Sequence, residues 1–171
     1  MILKQIDLSL MSEHLNVHKG VLNKLETFFC AVDNPTLRQV IYEQYLVMSN
    51  HVKVMLSLMN PEINEQVTTA ALNYLEPLEI PCTLTKSMMT EGNIALELRN
   101  TAKTMAQTNF ESALMMKASN VKDIHIHMAL QQTIIQNRYS QYIKENNLDV
   151  VPKSTLKEQL DVLQSFKKMF I

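Results

Sequence analysis

The feature that most constrains this chain is an internal repetition. Residues Ala31 to Asn60 align without gaps on Ala118 to Asn147, an offset of 87. Ala31, Gln44, Asn50 and Asn60 meet Ala118, Gln131, Asn137 and Asn147, and Asp33 meets Asn120. Leu37, Val47, Met48 and Leu56 meet Ile124, Ile134, Ile135 and Ile143. The identities are few, but the apolar positions stay in register throughout. One helical hairpin, used twice and joined by a long connection, predicts a four-helix bundle with a crossover.

Local signals predict where the helices lie. Met11, Leu15, His18, Leu22, Leu25 and Phe29 recur at spacings of four and three, one face of a helix from Ser9 or Ser12 to Ala31. Asp33-Asn34-Pro35 makes a corner, with Asn34 as cap and Pro35 at the first helical position. Leu37, Ile41, Gln44, Met48, His51, Met55 and Leu58 form the seam of the second helix, which Asn60-Pro61 closes. These two helices make a hairpin over residues 9–60.

The crossover is expected over 61–87, with a short helix near Thr68–Leu75 and extended chain at Pro77 and Pro81. Its length suits a connection that must travel a bundle roughly 35 Å long. The second hairpin is expected over 88–147. Its first helix begins after Thr90, with Glu91 in the first turn and Leu98, Ala102, Met105, Asn109, Ser112 and Met116 inward. Its second begins near Lys122, with a seam of Ile124, Met128, Gln131, Ile135 and Tyr142. A last amphipathic helix, 153–170, places Leu156, Leu160, Leu163 and Phe166 on one face. The whole chain, 1–171, reads as one all-α domain. The presence of only two glycines argues against a β-rich fold with its many turns.

Charge excludes some functions. The formal net charge is -1 and there is no long basic run, so no nucleic-acid partner is expected. Lys167-Lys168 reads as a partner for a helix C-terminus. No apolar run is long enough for a transmembrane segment, and Lys4, Gln5 and Asp7 break any leader-like start. Cys30 and Cys82 are too few for a disulfide framework and suggest a reducing compartment, while leaving room for one bond. Neither has a local activating partner, and a helix C-terminus at Cys30 disfavours a thiolate.

No catalytic residue and no cofactor are expected. A di-metal carboxylate bundle of the ferritin-like kind needs a Glu on each of two helices and a Glu-x-x-His on each of the other two. No Glu-x-x-His occurs, and nothing acidic lies between Asp123 and Glu145. His14 and His18 share a helix face at chelating spacing, and His51 could approach as a third ligand. The competing reading is a set of hydrogen-bonded core histidines, favoured because two ligands make a weak site. His125 and His127 point about 200° apart and read as one inner and one outer residue. Gln44, His51 and Gln131 form a polar seam expected to be hydrogen-bonded within the core. The methionines read as core filler, with a small apolar ligand in a Met-rich core as a further option.

Two stretches resemble the spore coat protein F family of spore-forming bacteria. One is Gly20-Val21-Leu22-Asn23-Lys24-Leu25 followed by Asp33-Asn34-Pro35-Thr36-Leu37-Arg38-Gln39. The other is Tyr139-Ser140-Gln141-Tyr142-Ile143-Lys144-Glu145-Asn146-Asn147. Ser119-Asn120-Val121-Lys122-Asp123 stands where that family tends to have Pro-x-Leu-Arg. The resemblance implies a ferritin-like bundle of two antiparallel hairpins that lacks the di-metal motif. It further implies a non-enzymatic structural or interaction protein, made in the mother-cell cytoplasm and then placed in the spore coat. Its partners would be other coat proteins or further copies of itself. The alternative is a metal-binding bundle with atypical ligands.

Overall fold

The computed structural model describes residues 2–63, 66–82 and 88–170. Five α-helices and one short 3-10 turn occur among them, and no strand does. They are α1 (Gln5–Ala31), α2 (Pro35–Met59), α3 (Glu91–Met115), α4 (Ser119–Glu145) and α5 (Leu156–Phe170). The 3-10 turn, Thr69–Asn73, lies in the connection between α2 and α3. Part of the expected crossover, 64–65 and 83–87, lies outside the described residues.

Helices α1 to α4 pack into a bundle, α3 most extensively on α4 and α1 on α2. Two apolar clusters fill it. One includes Leu25, Leu37, Ile41, Ile94, Leu98 and Ile143; the other includes Met11, Met55, Leu58, Leu72, Ile124 and Met128. Each of α1 to α4 contributes to both, α3 to the second only through its C-cap residue Met116. Where a helix passes from one cluster to the other it carries buried polar residues: His14 and His18 on α1, His51 on α2, Asn109 and Ser112 on α3, Gln132 on α4. The bundle is thus two apolar blocks with a polar layer between them.

The internal repetition is present, but at a different register. Met48 and Gln132, 84 residues apart, are both fully buried and occupy matching places. Pro35 opens α2 as Ser119 opens α4. Buried Met11, Val21, Leu37, Val40, Met55 and Leu58 then match buried Ala95, Met105, Val121, Ile124, Tyr139 and Tyr142. The offset of 87 expected from the sequence differs by three residues. Apolar positions on a helix recur at both three and four, so a three-residue slide keeps most of the face and is nearly degenerate in sequence.

The two halves brace each other at their corners. Asp7, in the first turn of α1, is fully buried. Its carboxylate accepts from the backbone N–H of Lys117 at 2.7 Å and of Ala118 at 3.1 Å, at the α3–α4 corner. Reciprocally, Glu91 at the start of α3 accepts from the N–H of Asp33 at 2.7 Å and Asn34 at 2.9 Å, at the α1–α2 corner. This explains two departures from the expected boundaries. Helix α1 begins at Gln5, not Ser9 or Ser12, because Asp7 is needed at the far corner. Helix α4 begins at Ser119, not Lys122, although its cap residue Ala118 has no side-chain acceptor to offer.

Replacing Asp7 by Ala should lower stability by about 3 kcal/mol, since it removes two charge-assisted bonds from one buried carboxylate. Glu91→Ala should cost roughly half as much, because Glu91 is part-exposed and water can replace it. Urea unfolding of both variants followed by far-UV circular dichroism checks the ranking, and equal small effects would refute it.

At the end of α4, Asn147 adopts a left-handed conformation with φ 53. The N–H of Leu148 bonds the carbonyl of Ile143, and that of Asn147 bonds Lys144. This is a Schellman cap, with Asn supplying the backbone that Gly usually does. Leu148 then lies over Gly92, where an added Cβ would come within 3.1 Å of its side chain. Arg99 pairs with Asp149 just beyond.

Cys30 and Cys82 form a disulfide, with Cα atoms 5.3 Å apart. This is the one bond that the sequence left open, and it counts against the reducing compartment that two cysteines alone suggested. The bond ties the connection to the end of α1. Asn50 donates to the Ala71 carbonyl, the Leu78 N–H donates to the Tyr42 hydroxyl, and Lys53 pairs with Glu76, so α2 holds the same segment along its length.

Candidate functional site: a buried histidine cluster

Four of the five histidines meet in the polar layer. The ring centroids of His14 and His125 are 5.2 Å apart, those of His18 and His51 5.7 Å, and those of His14 and His18 6.3 Å. His18, His51 and His125 are fully buried and His14 nearly so. Helix α1 brings His14 and His18 to one face because they are four residues apart. His51 comes from α2 and His125 from α4.

One nitrogen of each ring is hydrogen-bonded. His18 Nδ1 lies 2.7 Å from the His14 carbonyl oxygen, and His125 Nδ1 lies 2.8 Å from that of Val121. A carbonyl only accepts, so in both rings Nδ1 carries the proton and Nε2 a bare lone pair. His51 Nε2 lies 2.8 Å from Gln131 Oε1. The orientation of that amide is set by its other end, which donates to the Leu72 carbonyl at 3.0 Å. His51 therefore donates through Nε2, leaving Nδ1 bare. His14 Nε2 shares a 2.8 Å hydrogen bond with the Ser112 hydroxyl.

The remaining nitrogens, His14 Nδ1, His18 Nε2, His51 Nδ1 and His125 Nε2, have no hydrogen-bond partner within 3.5 Å among the described residues, and neither does Asn109 Oδ1. Burial of one unpaired polar atom costs about 1–3 kcal/mol. So many in one layer make it a concentrated cost that packing elsewhere must offset.

Burial keeps these rings neutral. It lowers His51 to about 3, with the neighbouring His18 adding to the effect. It lowers His18 and His125 to about 4, against the opposing hydrogen bonds to the His14 and Val121 carbonyls. His14 is lowered too, again by burial, with Asn109 and Glu13 opposing. At neutral pH the layer holds uncharged imidazoles, the protonation state in which histidine ligates metals. Among the described residues, no three His, Cys, Asp or Glu side chains stand as a ready-made ligand set.

Beside the histidines runs a second polar chain. The Tyr139 hydroxyl donates to Gln44 Oε1 at 2.9 Å, Gln44 donates to Gln132 at 3.4 Å, and Gln132 donates to the Met48 sulfur at 3.2 Å. Burial holds the Tyr139 phenol well above its usual range, so it stays a donor. Of the expected polar seam, Gln44 and His51 are fully buried, whereas Gln131 is only part-buried and reaches His51 from the side. The fully buried amide of α4 is its neighbour Gln132. Met128 to Ile135 can be spanned as four then three or three then four, and the sequence does not choose between them. His125 joins the cluster that His14, His18 and His51 suggested, while His127 is exposed. The donor set is imidazole, amide and phenol, which does not fit a di-metal carboxylate centre.

Helix α5 is the other unusual element. None of its residues is buried, and Leu160, Leu163 and Phe166 are about half exposed. A reciprocal capping box starts it: the Thr155 N–H bonds Glu158 Oε2 at 2.7 Å, and the Glu158 N–H bonds Thr155 Oγ1 at 3.2 Å. Lys167 and Lys168 occupy its last turn, where the helix dipole favours them. No helix among the described residues is long and apolar enough to cross a membrane. Comparison of the chain with family models, characterised proteins and solved structures gives no match in any of the three.

Proposed function

We propose that this is a non-enzymatic interaction protein of ferritin-like, two-hairpin architecture, which assembles into the spore coat through α5. The unpartnered apolar face of α5 carries the reading. Leu156, Leu160, Leu163, Phe166 and Phe170 follow one helix face, and none is buried by the other described residues. A 15-residue helix is marginal alone in water, so a stable one needs its face covered.

The occupant we assign is α5 of a second copy. Glu158 and Asp161 lie early in the helix and Lys167 and Lys168 late. An antiparallel pair centred near Leu163 would set acids against lysines at both ends and apolar faces between. The spore coat assignment rests on the sequence resemblance at Gly20–Leu25, Asp33–Gln39 and Tyr139–Asn147. The disulfide supports an oxidising final location after synthesis in the mother cell.

Two measurements test this. Sedimentation equilibrium should give a dimer that Leu160→Glu with Leu163→Glu converts to monomer. A fluorescent fusion followed through sporulation should collect at the forespore. A monomeric wild type removes the α5 pairing. A fusion that stays diffuse throughout removes the coat assignment.

A further inference from the structure

We propose that the histidine layer is a binding site for a single transition-metal ion of the zinc class, held by imidazole nitrogens of His14, His18, His51 and His125. The inference is independent of what α5 binds.

The hydrogen bonding is the first argument. A metal-ligating histidine presents one nitrogen to the ion and donates the other N–H to an acceptor that fixes tautomer and ring orientation. His18, His51 and His125 each have one N–H committed, to the His14 carbonyl, the Gln131 amide and the Val121 carbonyl. Each has its other nitrogen bare and buried. His14 has one nitrogen bonded to Ser112, and its other nitrogen has only the looser contact with Asn109. Ordinary core histidines would find partners for both nitrogens.

Spacing is the second. Imidazoles sharing one tetrahedral ion at a metal–nitrogen distance near 2.0 Å have ring centroids roughly 5 Å apart. His14 and His125 stand at 5.2 Å, and His18 and His51 at 5.7 Å. His14 and His18 stand at 6.3 Å, so the layer must contract before one ion can be shared, in keeping with the lack of a ready-made ligand set among the described residues. Without an ion, imidazole lone pairs turned toward one another in a buried layer repel. An ion reverses the sign of that interaction and draws them in.

The third argument is electrostatic. Four neutral imidazoles leave a divalent ion's charge uncompensated. The carboxylates of Asp7 and Glu13 act on His125 and His14 and supply negative potential from outside the ring set. An all-nitrogen set without carboxylate or thiolate disfavours magnesium and calcium and suits zinc, cobalt, nickel or copper.

The test is a zinc titration of chelator-treated wild-type protein against a chromophoric competitor at pH 7.5. One equivalent per chain is expected to bind at micromolar affinity or tighter. His18→Leu and His125→Leu should each weaken binding at least tenfold, and His127→Leu, on the exposed side of α4, should leave it unchanged. Failure to bind close to one equivalent, or binding that survives both inner substitutions, overturns the proposal and leaves the layer to buried water. Because an inner substitution can disturb folding, X-ray absorption on the zinc-loaded wild type decides separately. Three or four imidazole nitrogens are expected in the shell, and fewer than three overturns the site.

Discussion

Acidifying the chelator-treated protein from pH 7 to pH 5 should remove most of its stability and unfold it cooperatively. In the unfolded chain a histidine titrates near 6.5. In the folded protein burial lowers His18 and His125 to about 4 and His51 to about 3. Between those limits the unfolded state binds more protons, so stability falls as pH falls. The contribution is fully present above about 6.5 and declines down to the folded values. At pH 5 each of the three groups costs about 2 kcal/mol, together about 6 kcal/mol. A domain of this kind has about 5–15 kcal/mol in all. The rings are neighbours, so charging one raises the cost of charging the next, and the protons enter together on unfolding. Urea unfolding at half-unit pH steps, followed by far-UV circular dichroism, measures this directly. The slope of stability against pH should correspond to uptake of about three protons near pH 5. Stability that is flat from pH 7 to 5 would show that the histidines are hydrated or already paired.

Loss of the Cys30–Cys82 bond should be the next largest effect. The bond closes a 52-residue separation. On a chain-entropy basis, opening a loop of that length gives the unfolded state about 4 kcal/mol. For a chain of 171 residues this lowers Tm by about 10 °C. Calorimetry of the Cys30→Ala, Cys82→Ala double variant against the oxidised wild type checks it. The helices should survive, because the apolar clusters do not depend on the bond. The segment from the 3-10 turn to Cys82 should loosen first, seen as faster amide exchange at Ala71 and Leu78. A change below about 1 kcal/mol would mean that the side-chain contacts from α2 already hold the segment in the unfolding ensemble.

Helix identity was written locally in this chain. Periodic apolar residues, Asn34 before Pro35, Thr90 before Glu91 and the amphipathic run after Pro152 place five helices, because capping and amphipathicity involve residues only three or four apart. Residues facing inward on α3, from Leu98 to Met116, were legible for the same reason. What one helical turn cannot distinguish stayed open. The repeat register fell three residues away, and the buried amide of α4 proved to be Gln132 beside Gln131, since neighbouring choices satisfy the same spacing rule.

Partners across the fold were decided only in three dimensions. Asp7 is one acid near a chain start until the α3–α4 corner comes to it. Glu91 looked like a dipole partner for its own helix, and it also caps the opposite corner. Cys30 and Cys82 are two thiols until the connection returns along α2 to meet the end of α1. The sequence offered His14, His18 and His51 as a sparse set and read His125 as merely inward. Their meeting, each with one nitrogen committed and one bare, depends on how four helices stack, a property set by packing between segments up to about a hundred residues apart and by no local spacing.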